Sequence, residues 1–234
     1  MRVDFHSHVL PGVDDGSRSV GESLTMLRMA YDQGITHVVA TPHFYAGRDN
    51  PQHFLRKRDR AEKLLRDAME NECNMPQLLV GAEVRYFSGI SESEAVRQLT
   101  IAGKDYILIE MPAAPWTDRM YHELSQLREK QGVTPIVAHI DRYMSPFRNR
   151  GLPDRLSRCP VLVQANAGFF LSAFTAPMAL RLLEQERIHL LGSDCHDLDE
   201  RPPRMGEAIR VIRRKSGDGA IRRMDELASS ILFG

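Results

Sequence analysis

The strongest constraint on the fold is that short apolar runs alternate with longer helical stretches along the whole chain. Apolar runs predict buried strands, and apolar residues at helical spacing predict amphipathic helices. The predicted strands are 3–5, 37–40, 78–80, 106–109, 135–138, 161–164 and 188–191, and the predicted helices are 19–33, 51–72, 117–131, 175–186 and the region from about 203 onward. Seven such alternations without a clear linker predict an α/β fold, either a parallel β/α barrel or a doubly wound sheet.

Length and composition set the broad class. The 234 residues suit a single domain, 1–234, with a substantial buried core. Lys+Arg and Asp+Glu balance at 31 each, so no overall field recruits nucleic acid or an anionic membrane. No run of about 18 apolar residues predicts a bilayer span, and the N-terminus has no signal-peptide core. The odd count of 3 cysteines fits a reduced, cytoplasmic protein.

Polar residues concentrate where the predicted strands end. In both α/β architectures this edge of a parallel sheet is where active sites are built. The first strand runs into His6-Ser7-His8, and the strand period of two places both imidazoles on the same side. Asp194 and His196 share a face after the last strand in the same way. The pattern therefore predicts one site assembled from the ends of several strands.

The candidates at this edge are histidines and carboxylates. They are His6, His8, Asp15, His43, Glu83, Glu110, His139, Asp194 and His196. One tetrahedral ion takes three or four protein ligands, so this set predicts two or three ions with bridging carboxylates. Ligands without thiolate suit Mn, Fe or Zn. Spacing alone does not decide between Asp14 and Asp15, and any single member also has a plain structural reading.

Two arginines follow the same strand ends. Arg142 lies three residues past His139, and Arg201 lies five past His196, so both are expected to reach the metal edge. Guanidinium groups match phosphate oxygens in a bidentate way that lysine does not. The alternative is that each arginine forms a surface salt bridge to a neighbouring carboxylate, Arg142 to Asp141 and Arg201 to Glu200.

Cys195, His37 and His189 are not assigned to the site. Cys195 and Arg201 satisfy the C-x5-R spacing of thiol-based phosphatases, but the loop between them carries three carboxylates, which would repel phosphate and disfavour a thiolate. His37 and His189 sit inside apolar runs, and we interpret both as packed or hydrogen-bonded core residues.

The motifs, taken together, resemble those of a known family. HSHVLPGVDDG, ATPH, GAE, ILIEMP, AHIDRY and SDCHDLDERPP occur in order from residue 2 to about 205 and resemble the PHP superfamily, within it the manganese-dependent protein-tyrosine phosphatases of the CpsB/CapC type. The resemblance implies a distorted seven-stranded β/α TIM-like barrel, a trinuclear metal site at the nine candidates, with Asp15 preferred over Asp14, and phosphate-binding roles for Arg142 and Arg201. Asp141 departs from the glutamate of many relatives, and 144–153 and 165–175 are less typical.

The expected activity follows from this resemblance. It is hydrolysis of phosphotyrosine by metal-activated water without a phosphoenzyme, on a bacterial tyrosine kinase that controls capsule or exopolysaccharide synthesis. The metal-site motifs leave other readings open. These are a phosphatase of a small ester such as histidinol phosphate, an amidohydrolase, which also opens with His-x-His on a barrel strand, and a non-catalytic metal-binding regulator. Glu83, Glu110 and the paired arginines favour phosphate over the amidohydrolase.

Overall fold

The strands lie where the apolar runs place them. The structure is a computed structural model that describes residues 1–144 and 151–234. Its strands are β1 Val3–Ser7, β2 His37–Ala40, β3 His43–Phe44, β4 Gln77–Val80, β5 Glu83–Arg85, β6 Tyr106–Glu110, β7 Thr134–Val137, β8 Leu162–Asn166 and β9 Leu190–Gly192. Each predicted strand coincides with one of these, and β3 and β5 are additional.

The helices also follow the predicted segments. They are α1 Val20–Asp32, α2 Pro51–Met69, α3 Asp118–Gln131, α4 Ile140–Tyr143, α5 Leu152–Leu156, α6 Ala176–Glu184, α7 Met205–Ser216 and α8 Asp218–Phe233. Short 3-10 helices occupy Ile90–Glu92, Glu94–Leu99, Ile101–Gly103 and Ala167–Phe170. The predicted C-terminal helical region is two helices, because Gly217 adopts φ 74° between them. None of the described helices is long and apolar enough to cross a bilayer.

Local sequence signals fix the helix ends. The Ser19 side chain accepts a hydrogen bond from the N–H of Glu22 at the start of α1, and Asn50 accepts one from the N–H of His53 at the start of α2. Such caps satisfy backbone donors that lack a partner within the helix. Gly132, with φ 67°, ends α3 in the left-handed conformation that glycine adopts without strain.

All named strand pairs are parallel, and they form two sheets. One sheet has the order β1-β2-β4, and the other has the order β3-β5-β6-β7-β8-β9. The expectation of seven strands is therefore met only in part. The structure has a mixed α/β fold with parallel strands, divided into sheets of three and six. The division arises because Thr41 and Pro42 separate β2 from β3, and Gly81 and Ala82 separate β4 from β5.

The two sheets meet along β1 and the residues after β9. Ser7 and Cys195 form an isolated parallel bridge, and the N–H of Asp194 donates to the carbonyl of His6. β1 carries one extra residue relative to β2 between Asp4 and Ser7, which is a β-bulge. The buried Asp4 carboxylate accepts the N–H of His6 at this bulge and the N–H of Ser193 across the junction. The ends of the first and last strands are thereby tied together.

The hydrophobic core divides into two clusters. The larger one lies between the strands and the surrounding helices. The smaller one joins strand residues such as Phe5 and Leu108 to Ala228, Ile231 and Leu232 of α8. The buried histidines and most of the buried carboxylates lie elsewhere, at the carboxyl ends of the strands. Because buried polar and charged groups require partners, we expect these side chains to contact one another or a bound ligand at this edge.

Candidate metal centre

The nine predicted ligands meet at the carboxyl edge of the sheets. Their side-chain nitrogen and oxygen atoms form four overlapping groups, and within each group the atoms lie within 4.8 Å of one another. The groups are His8 with Asp15, His43 and His196; His6 with His8 and Asp194; His6 with Glu83 and His139; and His43 with Glu83 and Glu110. Every candidate belongs to at least one group. The ligand roles themselves stay predictions.

Glu83 lies at the centre of the cluster and is fully buried. One carboxylate oxygen contacts His139 Nε2, and the other lies 3.1 Å from His6 Nε2 and 2.9 Å from His43 Nδ1. Burial alone would raise the pKa of Glu83, but the surrounding imidazoles, His6 foremost, outweigh burial and hold the pKa well below its usual value. Glu83 is therefore an anion with access to several neighbours, as a bridging carboxylate must be.

The imidazoles crowd one another. His6 Nε2 lies 3.1 Å from His8 Nε2, and the rings of His8 and His196 are 3.9 Å apart. Burial lowers the pKa of His6, yet Glu83 and Asp194 raise it by more. The pKa of His196 falls to about 4 through burial and the positive charges of His8 and Arg201. The site thus brings imidazole nitrogens close together. A bound cation would stabilise this arrangement by attracting their lone pairs.

Unpartnered buried atoms test whether a cation fits. Asp194 Oδ1 and His196 Nε2 are buried and make no hydrogen bond to any described residue. A buried polar atom without a partner is unfavourable, and most such atoms in native proteins have one. Imidazole nitrogen and carboxylate oxygen are ligands of divalent Mn, Fe and Zn. The residues present therefore fit a divalent metal centre.

Asp14 and Asp15 have different environments. Asp15 is largely exposed, and its Oδ1 lies 3.4 Å from His43 Nε2 and 3.7 Å from His196 Nε2. The Asp14 side chain is only 7% exposed, and its Oδ2 lies 2.7 Å from His8 Nδ1 and accepts the N–H of His43. Asp14 therefore orients the His8 ring from outside the cluster, whereas Asp15 faces the candidate ligands, as the family resemblance implies.

The two predicted phosphate-binding arginines converge on Asp194. Nη2 of Arg142 lies 2.9 Å and Nη2 of Arg201 lies 2.8 Å from Asp194 Oδ2. Their side chains remain 40% and 38% exposed, so part of each guanidinium faces solvent above the cluster. The alternative of surface pairs with Asp141 and Glu200 is not what the structure shows. Asp141 instead accepts the N–H of Asn166.

Sequence reasoning missed two residues of β8. The buried Gln164 Oε1 accepts the N–H of His139 at 2.9 Å and lies 3.3 Å from His6 Nδ1. Asn166 Nδ2 donates to Asp194 Oδ2 at 2.9 Å, and its Oδ1 lies 3.3 Å from His139 Nδ1. A signal was present, because the run at 161–164 was the one predicted strand without a candidate, and these two polar residues share strand period two at its end.

The loop after Cys195 confirms that the C-x5-R spacing is coincidental. The thiol is buried, and burial raises its pKa, with a further rise from Asp4. Asp197 Oδ1 accepts the backbone N–H groups of Asp199, Glu200 and Arg201. The loop amides that a thiol-based phosphatase turns toward phosphate are thus bound to the loop's own carboxylate.

The two histidines set aside are hydrogen-bonded, as predicted, but both are only partly buried and so are not core residues. His189 Nδ1 accepts the N–H of Val163 at 3.0 Å, and His37 Nδ1 lies 2.8 Å from Thr36 Oγ1. Burial lowers the pKa of both. Neither belongs to the metal-ligand groups. Of the less typical segments, 165–175 begins in the last two residues of β8 at the site edge, and residues 145–150 of the segment 144–153 lie outside the described residues.

Comparison with known proteins decides the family. The family described as "Capsular polysaccharide synthesis, CpsB/CapC" matches residues 2–230. The chain belongs to the CpsB/CapC family. Its relatives include the tyrosine-protein phosphatase CpsB of Streptococcus agalactiae, 30% identical over 98% of both chains, and the tyrosine-protein phosphatase YwqE of Bacillus subtilis, 28% identical over 98% of this chain and 91% of the relative.

Solved structures agree with this placement in the CpsB/CapC family. The chain matches a structure from a study of YwqE from Bacillus subtilis and CpsB from Streptococcus pneumoniae, described as unique metal-dependent tyrosine phosphatases. The TM-score is 0.84 at 27% identity, and the match covers 98% of this chain and 94% of the solved one. The fold is therefore shared over nearly the whole length of both chains.

Proposed function

We propose that this CpsB/CapC-family chain is a metal-dependent protein-tyrosine phosphatase. One observation carries the proposal: two half-exposed guanidinium groups stand over a buried cluster of histidines and carboxylates, with Asp194 shared between them. A cationic rim above a metal-ligand cluster matches a phosphate monoester in charge and in geometry. The relatives named as tyrosine-protein phosphatases supply the substrate class.

The nine clustered residues are proposed to hold the metal. The family resemblance implies three ions with manganese preferred. Glu83, His6, His8 and His43 each belong to two of the four groups, which supports a centre with more than one ion, and the two oxygens of the Glu83 carboxylate could serve neighbouring ions. Bound divalent ions would supply Lewis acidity, which brings the pKa of water toward about 7 and neutralises phosphoryl charge. Gln164 and Asn166 would fix the orientation of His6, His139 and Asp194 around them.

Arg142 and Arg201 are proposed to bind the phosphoryl oxygens. Each contacts Asp194 through Nη2, and Arg142 Nη1 also lies 3.3 Å from Glu110 Oε1. These contacts orient both guanidinium groups, and their remaining N–H donors would bind substrate. Charge that develops on the phosphoryl oxygens is stabilised by donors already in position. The leaving phenol has a pKa of about 10, so a tyrosine ester needs less acid assistance than a serine ester. The proposed substrate protein is a bacterial tyrosine kinase of a capsule or exopolysaccharide system.

The activity is assigned to a single domain, residues 1–234, arranged as a distorted seven-stranded barrel. Support for the barrel comes from continuity of hydrogen bonding across the strand interruptions. The N–H of Gly81 donates to Ala40, and the N–H of Glu83 donates to Pro42. If β2 with β3, and β4 with β5, each count as one interrupted strand, seven strand positions result.

The deciding experiment measures phosphate release by the purified protein. The substrates are a phosphotyrosine peptide, a phosphoserine peptide and histidinol phosphate, each with and without added Mn²⁺ and with a chelator. We expect Mn²⁺-dependent hydrolysis of the phosphotyrosine peptide that the chelator abolishes. Preference for histidinol phosphate would contradict the assigned substrate, and no turnover in a folded, Mn²⁺-loaded sample would contradict the assigned reaction.

Matched histidine variants separate the metal centre from general effects of substitution. His6→Ala removes a buried member of the cluster and is expected to abolish activity and reduce metal content. His122→Ala removes an exposed histidine of α3 that belongs to no candidate group. It is expected to match the wild type. Normal activity in a folded His6→Ala protein would rule out the proposed centre.

A further inference from the structure

A cavity opens beside the metal centre, between the residues that follow β3 and the end of β5. Its volume is about 280 Å³. Three aromatic side chains and two guanidinium groups line it, and among the described residues of its lining none is acidic. We call these five residues the cationic groove: Tyr45, Arg48, Arg85, Tyr86 and Phe87.

The cationic groove begins where the metal centre ends. Arg85 Nη1 lies 3.1 Å from Glu110 Oε2, and Glu110 is one of the nine proposed ligands. On the other side, the ring of Tyr45 lies 5.5 Å from the ring of His43, a second proposed ligand. A peptide whose phosphotyrosine reached the cluster would therefore carry its neighbouring residues past this groove.

The positive charge of the groove is only partly balanced. The Arg48 guanidinium lies 4.4 Å above the Tyr45 ring, a cation–π contact that positions it without neutralising it. No described carboxylate forms an ion pair with Arg48. Within residues 1–144 and 151–234, Arg85 forms an ion pair with Glu110 only, and its side chain is 45% exposed. Two guanidinium groups with donors directed to solvent form a site complementary to a carboxylate.

We propose that the cationic groove binds an acidic residue next to the phosphotyrosine of the substrate. This inference rests on the proposed function, since the groove acts on the same peptide as the metal centre. The aromatic walls would pack against the aliphatic part of the flanking segment, while the guanidinium groups select its charge. The groove therefore makes the chain selective for acidic over neutral and basic sequence around the phosphotyrosine.

The test compares flanking charge at constant phosphotyrosine. Short phosphotyrosine peptides carry Glu, Ala or Lys immediately before or after the modified residue, and p-nitrophenyl phosphate serves as a probe without flanking residues. We would measure kcat/KM at low and high ionic strength for the wild type, Arg48→Gln and Arg85→Gln. Arg60→Gln is the matched control, because Arg60 is an exposed arginine of α2 outside the groove.

In the wild type, Glu at one flank is expected to raise kcat/KM about two- to fivefold over Ala, the range of one exposed ion pair, and Lys is expected to lower it. High salt should reduce the preference. For each variant, the kcat/KM of every peptide is divided by that of p-nitrophenyl phosphate. After this normalisation Arg48→Gln should lose the preference for the Glu peptide, and Arg60→Gln should keep it. Metal content is measured for Arg85→Gln, because Arg85 contacts Glu110.

Two results would overturn the cationic groove as an acidic-residue site. One is equal kcat/KM for the Glu, Ala and Lys peptides in a wild type that hydrolyses p-nitrophenyl phosphate. The other is an undiminished preference for Glu in Arg48→Gln and Arg85→Gln. A Mn²⁺-loaded wild type that hydrolyses neither peptides nor p-nitrophenyl phosphate is a different outcome: it would overturn the proposed function, and this inference with it.

Discussion

Two of the proposed ligands, His139 and Asp194, have backbone conformations that L-residues rarely adopt. Their φ angles are 47° and 54°. Such conformations cost on the order of 1 kcal/mol each and persist where neighbouring contacts hold them. Gln164 accepts the N–H of His139, and the carbonyl of His6 accepts the N–H of Asp194. The hydrogen bonds of β8 and β1 therefore stabilise the turns that direct both side chains into the cluster.

Gln164→Met tests this support at nearly constant volume. The variant removes the acceptor of the His139 N–H and the contact with His6 Nδ1. Loss of such outer contacts typically lowers metal affinity about 10- to 100-fold, and an unpaired buried N–H costs about 1–3 kcal/mol. We expect reduced Mn²⁺ affinity by titration calorimetry and lower stability of the metal-free protein. Gln185→Met, at an exposed position, is the control, and equal Mn²⁺ affinity in both variants would contradict the role.

Gly192→Ala tests how closely β9 approaches β1. A Cβ at this position would lie 2.4 Å from the Cβ of His6 and 2.7 Å from Gln164 Nε2, which is closer than non-bonded atoms allow. We expect displacement of His6, with activity reduced at least about tenfold, as small misplacements in a site produce. Gly21→Ala in α1 meets only an ordinary contact and is expected to retain activity. Phosphate release checks both, and wild-type turnover by Gly192→Ala would exclude the close approach.

At the scale of elements, the strands and long helices could be predicted because their signals are local. Apolar runs, the caps at Ser19 and Asn50, and helical spacing all lie within one segment. The sequence Gly217-Asp218-Gly219 predicts a loop in the C-terminal helical region, and the structure limits the break to Gly217, because α8 begins at Asp218. β3 and β5 were missed because each is two or three residues long, and only pairing with neighbouring strands defines them.

Protonation of His189 is expected to break a hydrogen bond between β8 and the residue before β9. Its Nδ1 accepts the N–H of Val163, and burial lowers its pKa below the usual 6.5. The unfolded chain therefore binds a proton first as pH falls. The contribution of His189 to stability is complete above about pH 6.5 and is lost as pH falls through the lowered pKa. His189→Asn retains an acceptor but does not titrate.

Urea unfolding of metal-free wild type and His189→Asn between pH 8 and pH 5 measures this effect. Below pH 6.5 we expect the free energy of unfolding to fall less steeply with pH for His189→Asn than for the wild type. The slopes should differ by at most the contribution of one bound proton, about 1.4 kcal/mol per pH unit. His122→Asn, at an exposed position, is expected to match the wild-type slope. Identical slopes for His189→Asn and the wild type would show that His189 does not titrate differently on folding.

At the scale of the molecule, the nine clustered residues could be predicted because parallel strands bring all their carboxyl ends to one edge. The orienting residues could not be predicted with equal ease. Asp14 resembles any turn aspartate in sequence, and only its burial against His8 distinguishes it from Asp15. The contacts of Gln164 and Asn166 depend on β8 lying beside β9 and β7, which is a property of strand order. Local patterns therefore identify which residues act, and topology identifies which residues position them.

Metal binding is expected to stabilise the whole molecule, because the proposed ligands come from the first strand, the last strand and most of those between them. A ligand that binds only the folded state stabilises it by about 4 kcal/mol at 1,000 times its Kd. We expect added Mn²⁺ to raise the Tm of the chelator-treated protein by several degrees.

Asp194→Asn should reduce that rise in Tm, since it removes charge from a carboxylate that contacts His6, His8 and both arginines. Cys159→Ser, outside the cluster, should retain it. A Tm that does not respond to Mn²⁺ in the wild type would show that the cluster does not bind this metal, because nine converging ligands cannot bind an ion in the folded state alone without stabilising that state.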